Sequence, residues 1–232
     1  MDVSIHQPHY LPWIPYFRKI EQSDLFIFLD SVDFQKNGLQ NRNQIRTEQG
    51  RQWLTVPIRQ HFGQKINEVA IDTSTHWRGK HWEKLRHSYC EAASFNTYKN
   101  EFSKLLTQEW SELSRLNVYS TELMLNLLEI ETPILKSSQL KSTGRSSDLI
   151  LNLCKEVGAS RYISGSGGKQ YLEPATFENE GIEIIFLDPI APDTYPQPFP
   201  QVEFLNDLSA IDILFNCGAD WRSYLPGGGG VH

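Results

Sequence analysis

Short β-branched or apolar runs alternate along this chain with stretches of helical periodicity. That alternation is what a mostly parallel sheet covered by helices requires, because parallel neighbours can be joined only by a long crossover. Strands are predicted at residues 3–5, 25–29, 52–56, 133–135, 161–163 and 183–186. Between the third and fourth, residues 77–128 hold no strand-like run. Apolar residues recur there at helical spacing, at Phe102, Leu105, Leu106, Trp110, Leu113 and Leu116 and again at Leu123, Met124, Leu127 and Leu128. The spacing predicts a helical block of two or three elements, packed on one side of the sheet or over a site. Ser146-Ser147-Asp148 offers an N-cap for a helix running to Glu156 or Val157 and closed by Gly158. With 232 residues and 39% hydrophobic content, the chain can bury a full core. The expectation is one Rossmann-like α/β domain over residues 1–225 with a helical insertion at about 77–130, and an added tail at residues 226–232.

The first strand ends in His6-Gln7-Pro8-His9-Tyr10-Leu11-Pro12-Trp13, a run of rings and amides stiffened by two prolines that fix φ and remove two backbone donors. Carboxyl ends of parallel strands open onto the ligand crevice of an open α/β sheet. One reading therefore makes His6 a catalytic imidazole, with His9 a second contact and Tyr10 and Trp13 the aromatic wall of a pocket. The other makes the run an aromatic plug beneath a loop. Ser164-Gly165-Ser166-Gly167-Gly168 follows a predicted strand and precedes a helix expected to begin near Lys169. Ser164, Gly165, Gly167 and Gly168 would there seat a phosphate on backbone N–H groups, with φ > 0 available to the glycines, or simply make a tight turn.

Asn41, Arg42 and Asn43 fall in a predicted loop between Gly38 and the strand at Gln52. Alternation puts Asn41 and Asn43 on one face, as donors to an oxyanion, a sugar hydroxyl or a base edge, and sends Arg42 elsewhere, toward Asp30 or Asp33. A salt-bridged loop anchor fits the same residues. Asp30 and Asp33 could hold Mg²⁺ beside a nucleotide ligand, or Asp30 could only cap the turn after its strand. No other cofactor is implied. His76, His81 and His87 lack metal-ligand spacing and read as the polar rim of a helix, and Cys154 and Cys217 fall on apolar helical faces as inert thiols.

The net charge of −6 argues against general nucleic-acid binding. Cys90, Cys154 and Cys217 are far apart and show no CxxC spacing, which fits a reducing cytoplasm. No segment approaches the roughly 18 apolar residues of a membrane span, so no membrane partner is expected.

From His6 to Pro57 the chain resembles the WbqC-like family, through the opening pattern Ile-His-Gln-Pro-x-Tyr-x-Pro-Trp and then Asp30, Asp33-Phe34, Gln40-Asn41-Arg42-Asn43 and Trp53-Leu54-Thr55-Val56-Pro57. The resemblance resumes over the Gly-rich residues 158–172 and over residues 208–218. The family often has Asn where this chain has His9, which leaves His6 as the imidazole to follow. What the resemblance implies is a role in O-antigen or polysaccharide biosynthesis, beside enzymes that modify nucleotide-linked amino sugars. The expected activity is then amide formation on such a sugar, with an acyl carrier protein, acyl-CoA or aminoacyl-tRNA as donor. An imidazole suits deprotonation of the attacking amine, and Asn41, Asn43 or the Gly-rich backbone suits the oxyanion. Two other classes remain open. His6-Gln7-Pro8-His9 is similar to the His-x-Gly-His signature of ATP-dependent ligases of the pantothenate synthetase kind, although the glycine is missing, and a non-catalytic nucleotide-sugar or glycan binding module would need only the aromatic and amide residues.

Overall fold

The computed structural model describes residues 1–226, so the expected tail lies outside the described residues apart from Pro226. Its strands and helices follow in the order β1 (Asp2–His6), α1 (Ile14–Glu21), β2 (Leu25–Phe28), β3 (Arg42–Thr47), β4 (Gly50–Thr55), β5 (Ile58–Arg59), β6 (Ala70–Ile71), α2 (Trp77–Tyr89), α3 (Phe95–Thr107) and α4 (Leu113–Leu127). The remainder are β7 (Ile134–Lys136), α5 (Ser146–Glu156), β8 (Arg161–Gly165), α6 (Pro174–Asn179), β9 (Glu183–Leu187) and α7 (Ile211–Cys217). They form two compact units, one of Met1–Pro8, Pro15–Val32 and Ile130–Pro189, the other of His9–Ile14, Asp33–Glu129 and the described residues from Ile190 onward.

The first unit is a five-stranded parallel sheet in the order β7-β2-β1-β8-β9, the Rossmann-like α/β arrangement that the alternation predicts. β1 lies at its centre, with Val3 opposite Leu25 of β2 on one side and Tyr162 of β8 on the other. Strands buried on both faces read as continuous apolar runs, as in the Leu-Phe-Ile-Phe of β2. On one face Val3, Ile5, Ile27 and Tyr162 share a core with Leu149, Ile150, Leu153 and Cys154 of α5. On the other the Tyr16 ring of α1 meets Phe26 at 5.7 Å, and Phe26 meets Phe28 at 4.9 Å. The α5 boundary shifts by one residue from expectation: Arg145 is the N-cap, without a side-chain cap bond, while Ser146 already opens the helix. Gly158 takes φ +73° just past its end, where a side chain would be strained.

In the second unit the expected helical block is three helices, α2 to α4. The strand expected at 52–56 is present as β4, but it pairs antiparallel with β3 in a hairpin and does not join the parallel sheet. Arg42 and Asn43 accordingly belong to a strand, not to the predicted loop. Helix α7 completes an aromatic core in which Phe215 meets Phe95 and Phe102, each at 5.1 Å. The fully buried Asp212 accepts hydrogen bonds from the Tyr89 and Tyr195 hydroxyls at 2.7 Å each and from Gln197 at 2.8 Å. Burial raises its carboxyl above the usual range, while those bonds and Arg46 pull the other way. Tyr10 is fully buried, its hydroxyl 2.9 Å from His81 Nδ1.

Burial and the nearby Lys84 charge lower His81 to about 4. An unfolded imidazole, near 6.5, takes up a proton first as pH falls, so the contribution of His81 to stability is present above about 6.5 and is lost between 6.5 and 4, at up to about 1.4 kcal/mol per pH unit. Urea titrations from pH 7 to 4 should show a shallower decline in His81→Gln than in the parent. Equal slopes would remove His81 as the cause.

Candidate functional site

Strand order in the parallel sheet reverses at β1, with β2 and β7 to one side and β8 and β9 to the other. Crossovers leave in opposite directions from such a point and open a crevice outside the carboxyl ends of the two strands that flank it. A cavity of about 320 Å³ occupies this position in the first unit, lined among others by His6 at the end of β1 and Gln7 after it, Lys19 of α1, Ser164 and Gly165 at the end of β8, and Gly167 just beyond.

His6 is the terminal residue of β1, and its Nδ1 lies 3.0 Å from the Gln7 carbonyl oxygen. A carbonyl only accepts, so Nδ1 donates and the neutral ring keeps its lone pair on Nε2, the form a general base needs. The same carbonyl accepts the Tyr16 hydroxyl at 3.1 Å, and the Tyr16 ring stands edge-on to His6 at 4.7 Å. Lys19 belongs to no sequence motif. It is only 6% exposed, its Nζ donates to the Ile5 carbonyl at 3.0 Å, and burial alone lowers its ammonium to about 7. The signal available was its helical position, three residues after Tyr16 and four before Ser23, on a stripe that faces the sheet.

Beyond β8 the chain forms a 3₁₀ turn over Ser166–Gln170, and the next α-helix starts only at Pro174, so the helix expected near Lys169 is not there. Gly165, Gly167 and Gly168 have no positive φ either, which corrects the expected use of these glycines. Their role is spatial. A Cβ on Gly165 or Gly167 would meet nothing within 4 Å, whereas one on Gly168 would fall 2.1 Å from Ser164 Oγ and 2.8 Å from Leu172 Cδ1. Tyr162 and Tyr171 also line the cavity, and their hydroxyls interact with one another.

Asp30, in the same unit, accepts from the Ser137 hydroxyl at 3.0 Å and from the Ser138 N–H and hydroxyl at 2.9 and 2.7 Å. Those bonds make it a fastener between β2 and the turn after β7. The remaining sequence candidates lie in the second unit. Tyr10 is interior, and its N–H donates to the Leu39 carbonyl at 3.1 Å. Asn43 is buried, donating to the Leu11 carbonyl at 2.6 Å and accepting from the Gln44 N–H at 2.8 Å. Trp13 and His9 are partly buried and Asp33 is exposed, Trp13 and Asp33 standing in isolated backbone bridges to Ser209 and Lys65. Arg42 reaches neither Asp30 nor Asp33. Its guanidinium donates to the Asn37 carbonyl at 2.6 Å and lies 4.4 Å over the Trp53 ring. Asn41, donating to the Val56 carbonyl at 3.0 Å, lines with Arg42 a second cavity of about 310 Å³.

Among the described residues no group of three or more His, Cys, Asp or Glu could hold a metal ion. Burial pushes the Cys154 and Cys217 thiols up to about 12, which keeps both protonated at neutral pH. No helix of the described residues is long and apolar enough to cross a membrane.

The family model of the WbqC-like protein family matches residues 7–224. The uncharacterized protein Rv1507c of Mycobacterium tuberculosis is 33% identical over 226 residues, covering 96% of each chain. No solved structure matches. The chain belongs to the WbqC-like family.

The glycine geometry separates two adjacent substitutions. Gly168→Ala should cost about 1–3 kcal/mol in denaturant unfolding, the usual range for overpacking, while Gly167→Ala should unfold like the parent. Equal losses at both positions would show that the turn, and not the space around it, is what the glycines serve.

Proposed function

We propose that this WbqC-like protein is an enzyme that forms an amide on a nucleotide-linked amino sugar, by N-acyl or aminoacyl transfer in O-antigen or polysaccharide biosynthesis, with the switch-point cavity as its active site. The observation that carries this reading is His6, an imidazole whose lone pair is fixed on Nε2 by the Gln7 carbonyl, in a cavity beside a Gly-rich turn. The sugar amine attacks the donor carbonyl as its proton passes to Nε2. The tetrahedral oxyanion is met by N–H groups of the Ser166–Gln170 turn, since Asn41 and Asn43 are engaged with the Val56 and Leu11 carbonyls. Collapse expels the donor's thiolate or alkoxide, and His6 returns the proton to it.

At about 320 Å³ the cavity is at the small end of ligand sites and suits a sugar ring with its acyl group. In this reading the nucleotide extends past Tyr171, which is 46% exposed and offers a stacking face. Parallel acyl-CoA, acyl carrier protein and aminoacyl-tRNA reactions with UDP-, TDP- and GDP-linked amino sugars, read by mass spectrometry, test the activity. An amide product supports the proposal. ATP consumption in its place would favour a ligase, and a complex without product a binding module.

Given turnover, folded His6→Asn should lose on the order of 10² or more in kcat, as expected for removal of a general base, and His9→Asn should change little. A fully active His6→Asn protein would exclude His6 as the base. Gly167→Val should weaken nucleotide-sugar affinity in calorimetry without loss of stability. Unchanged affinity would take the turn out of the site.

A further inference from the structure

We propose that the floor of this cavity is an oxyanion seat, where a carboxylate or phosphate group of the ligand rests on the Lys19 ammonium and brings a proton into the complex when it binds. The inference rests on the cavity being the ligand site of the proposed function, and not on the reaction assigned to it.

Lys19 is short of hydrogen-bond acceptors. An ammonium has three donors, and among the described residues Nζ uses one, to the Ile5 carbonyl, and has no ion pair. Ile5, Leu29 and Ile150 line the cavity with it, and no Asp or Glu does. The other ionisable side chains that line it are His6 of β1, Tyr162 of β8 and Tyr171 after the 3₁₀ turn. Burial raises both tyrosines, so neither supplies a negative charge at neutral pH. Arg18 and Glu21 are the charged neighbours on α1. Asp30, just beyond Leu29, is already held by Ser137 and Ser138. An apolar side chain would fill the place of Lys19 without the desolvation cost, so the ammonium is explained by what it can receive.

Its state is poised for that. With its ammonium lowered to about 7, Lys19 is partly neutral in the empty cavity at physiological pH. An entering oxyanion supplies both the counter-charge and the missing acceptors, and the absence of Cβ atoms at Gly165 and Gly167 lets it approach the turn closely. Bound, the ammonium is favoured and its titration moves upward. Affinity for an anion that does not itself titrate must therefore be level below about pH 7 and fall about tenfold per pH unit above it, until the complex in turn loses the proton.

Sodium sulfate and sodium acetate, both fully ionised from pH 6 to 9, serve as the tetrahedral and planar probes in calorimetric titrations of the whole protein. Tighter sulfate binding would assign the seat to a phosphate, and tighter acetate binding to a carboxylate. The expected result is the tenfold-per-unit decline above pH 7 for the tighter probe. The decline should persist in His6→Asn, which separates the Lys19 proton from the imidazole's. Lys19→Met should bind about tenfold or more weakly, with no pH dependence, and melt at a higher temperature than the parent. A level pH profile in the parent protein, binding of neither probe, or a Lys19→Met protein that binds like the parent would each overturn the inference. Amide formation by an enzyme whose anion affinity is level in pH would overturn it and leave the proposed reaction standing. A pH-linked anion seat without turnover would uphold it while the reaction fails.

Discussion

β1 is hydrogen-bonded along both edges, to β2 through Val3 to His6 and to β8 through Asp2 to Ser4, and this double pairing sets where everything else in the first unit goes. A central parallel strand has no face or edge in water, so its middle residues must be apolar or small and its chemistry is confined to its end. Val3 and Ile5 meet the α5 core, while Ser4 faces the other way and pairs its hydroxyl with Ser23 at 2.7 Å. His6 is the strand's last residue, at the end that lines the cavity. Because the strand order reverses at β1, that end opens onto a space between diverging crossovers.

Two buried cations, one in each unit, are held in contrasting ways. In the second, the buried Arg46 guanidinium is saturated by the Gln197 side chain and by the carbonyls of Pro198, Phe199, Val202 and Glu203, and Asp212 is enclosed by tyrosine hydroxyls. Networks satisfied to that degree specify a fold and leave nothing for a ligand to add. Lys19 in the first unit is buried to a similar depth with a single carbonyl for company. One buried cation sits in a completed network and the other in an incomplete one, and the incomplete one lies at the cavity.

The five parallel strands are legible in the sequence because strands covered on both faces must be short apolar runs. β3 is not, since Arg42-Asn43-Gln44-Ile45-Arg46-Thr47 has one aliphatic residue and is held by side-chain bonds to segments far away in the chain. That His6 and the Gly-rich turn line one cavity is legible from the rule that the carboxyl ends of parallel strands open onto a crevice. Tyr10 misled for an instructive reason: a ring between two prolines is as well suited to a rigid interior as to a pocket wall, and its bond to His81 is visible only in three dimensions. Lys19 was invisible because a lysine in the last turn of a helix reads as an ordinary partner of the helix dipole, and only the neighbouring sheet converts it into a buried charge.

The chain passes between the two units five times, after residues 8, 14, 32, 129 and 189. During synthesis, β1 and β2 emerge first, but Arg161, which pairs with Asp2, follows 159 residues later. The hairpin and helices of residues 33–129 close over short stretches of chain and can form early, whereas the sheet must wait for a long loop to close. Until then β1 presents an unpaired edge, the kind of surface that chaperones shield and that aggregation exploits. The cavity thus waits for β8 and the turn after it to be made, and a chain cut before β8 lacks it however intact its N-terminal half.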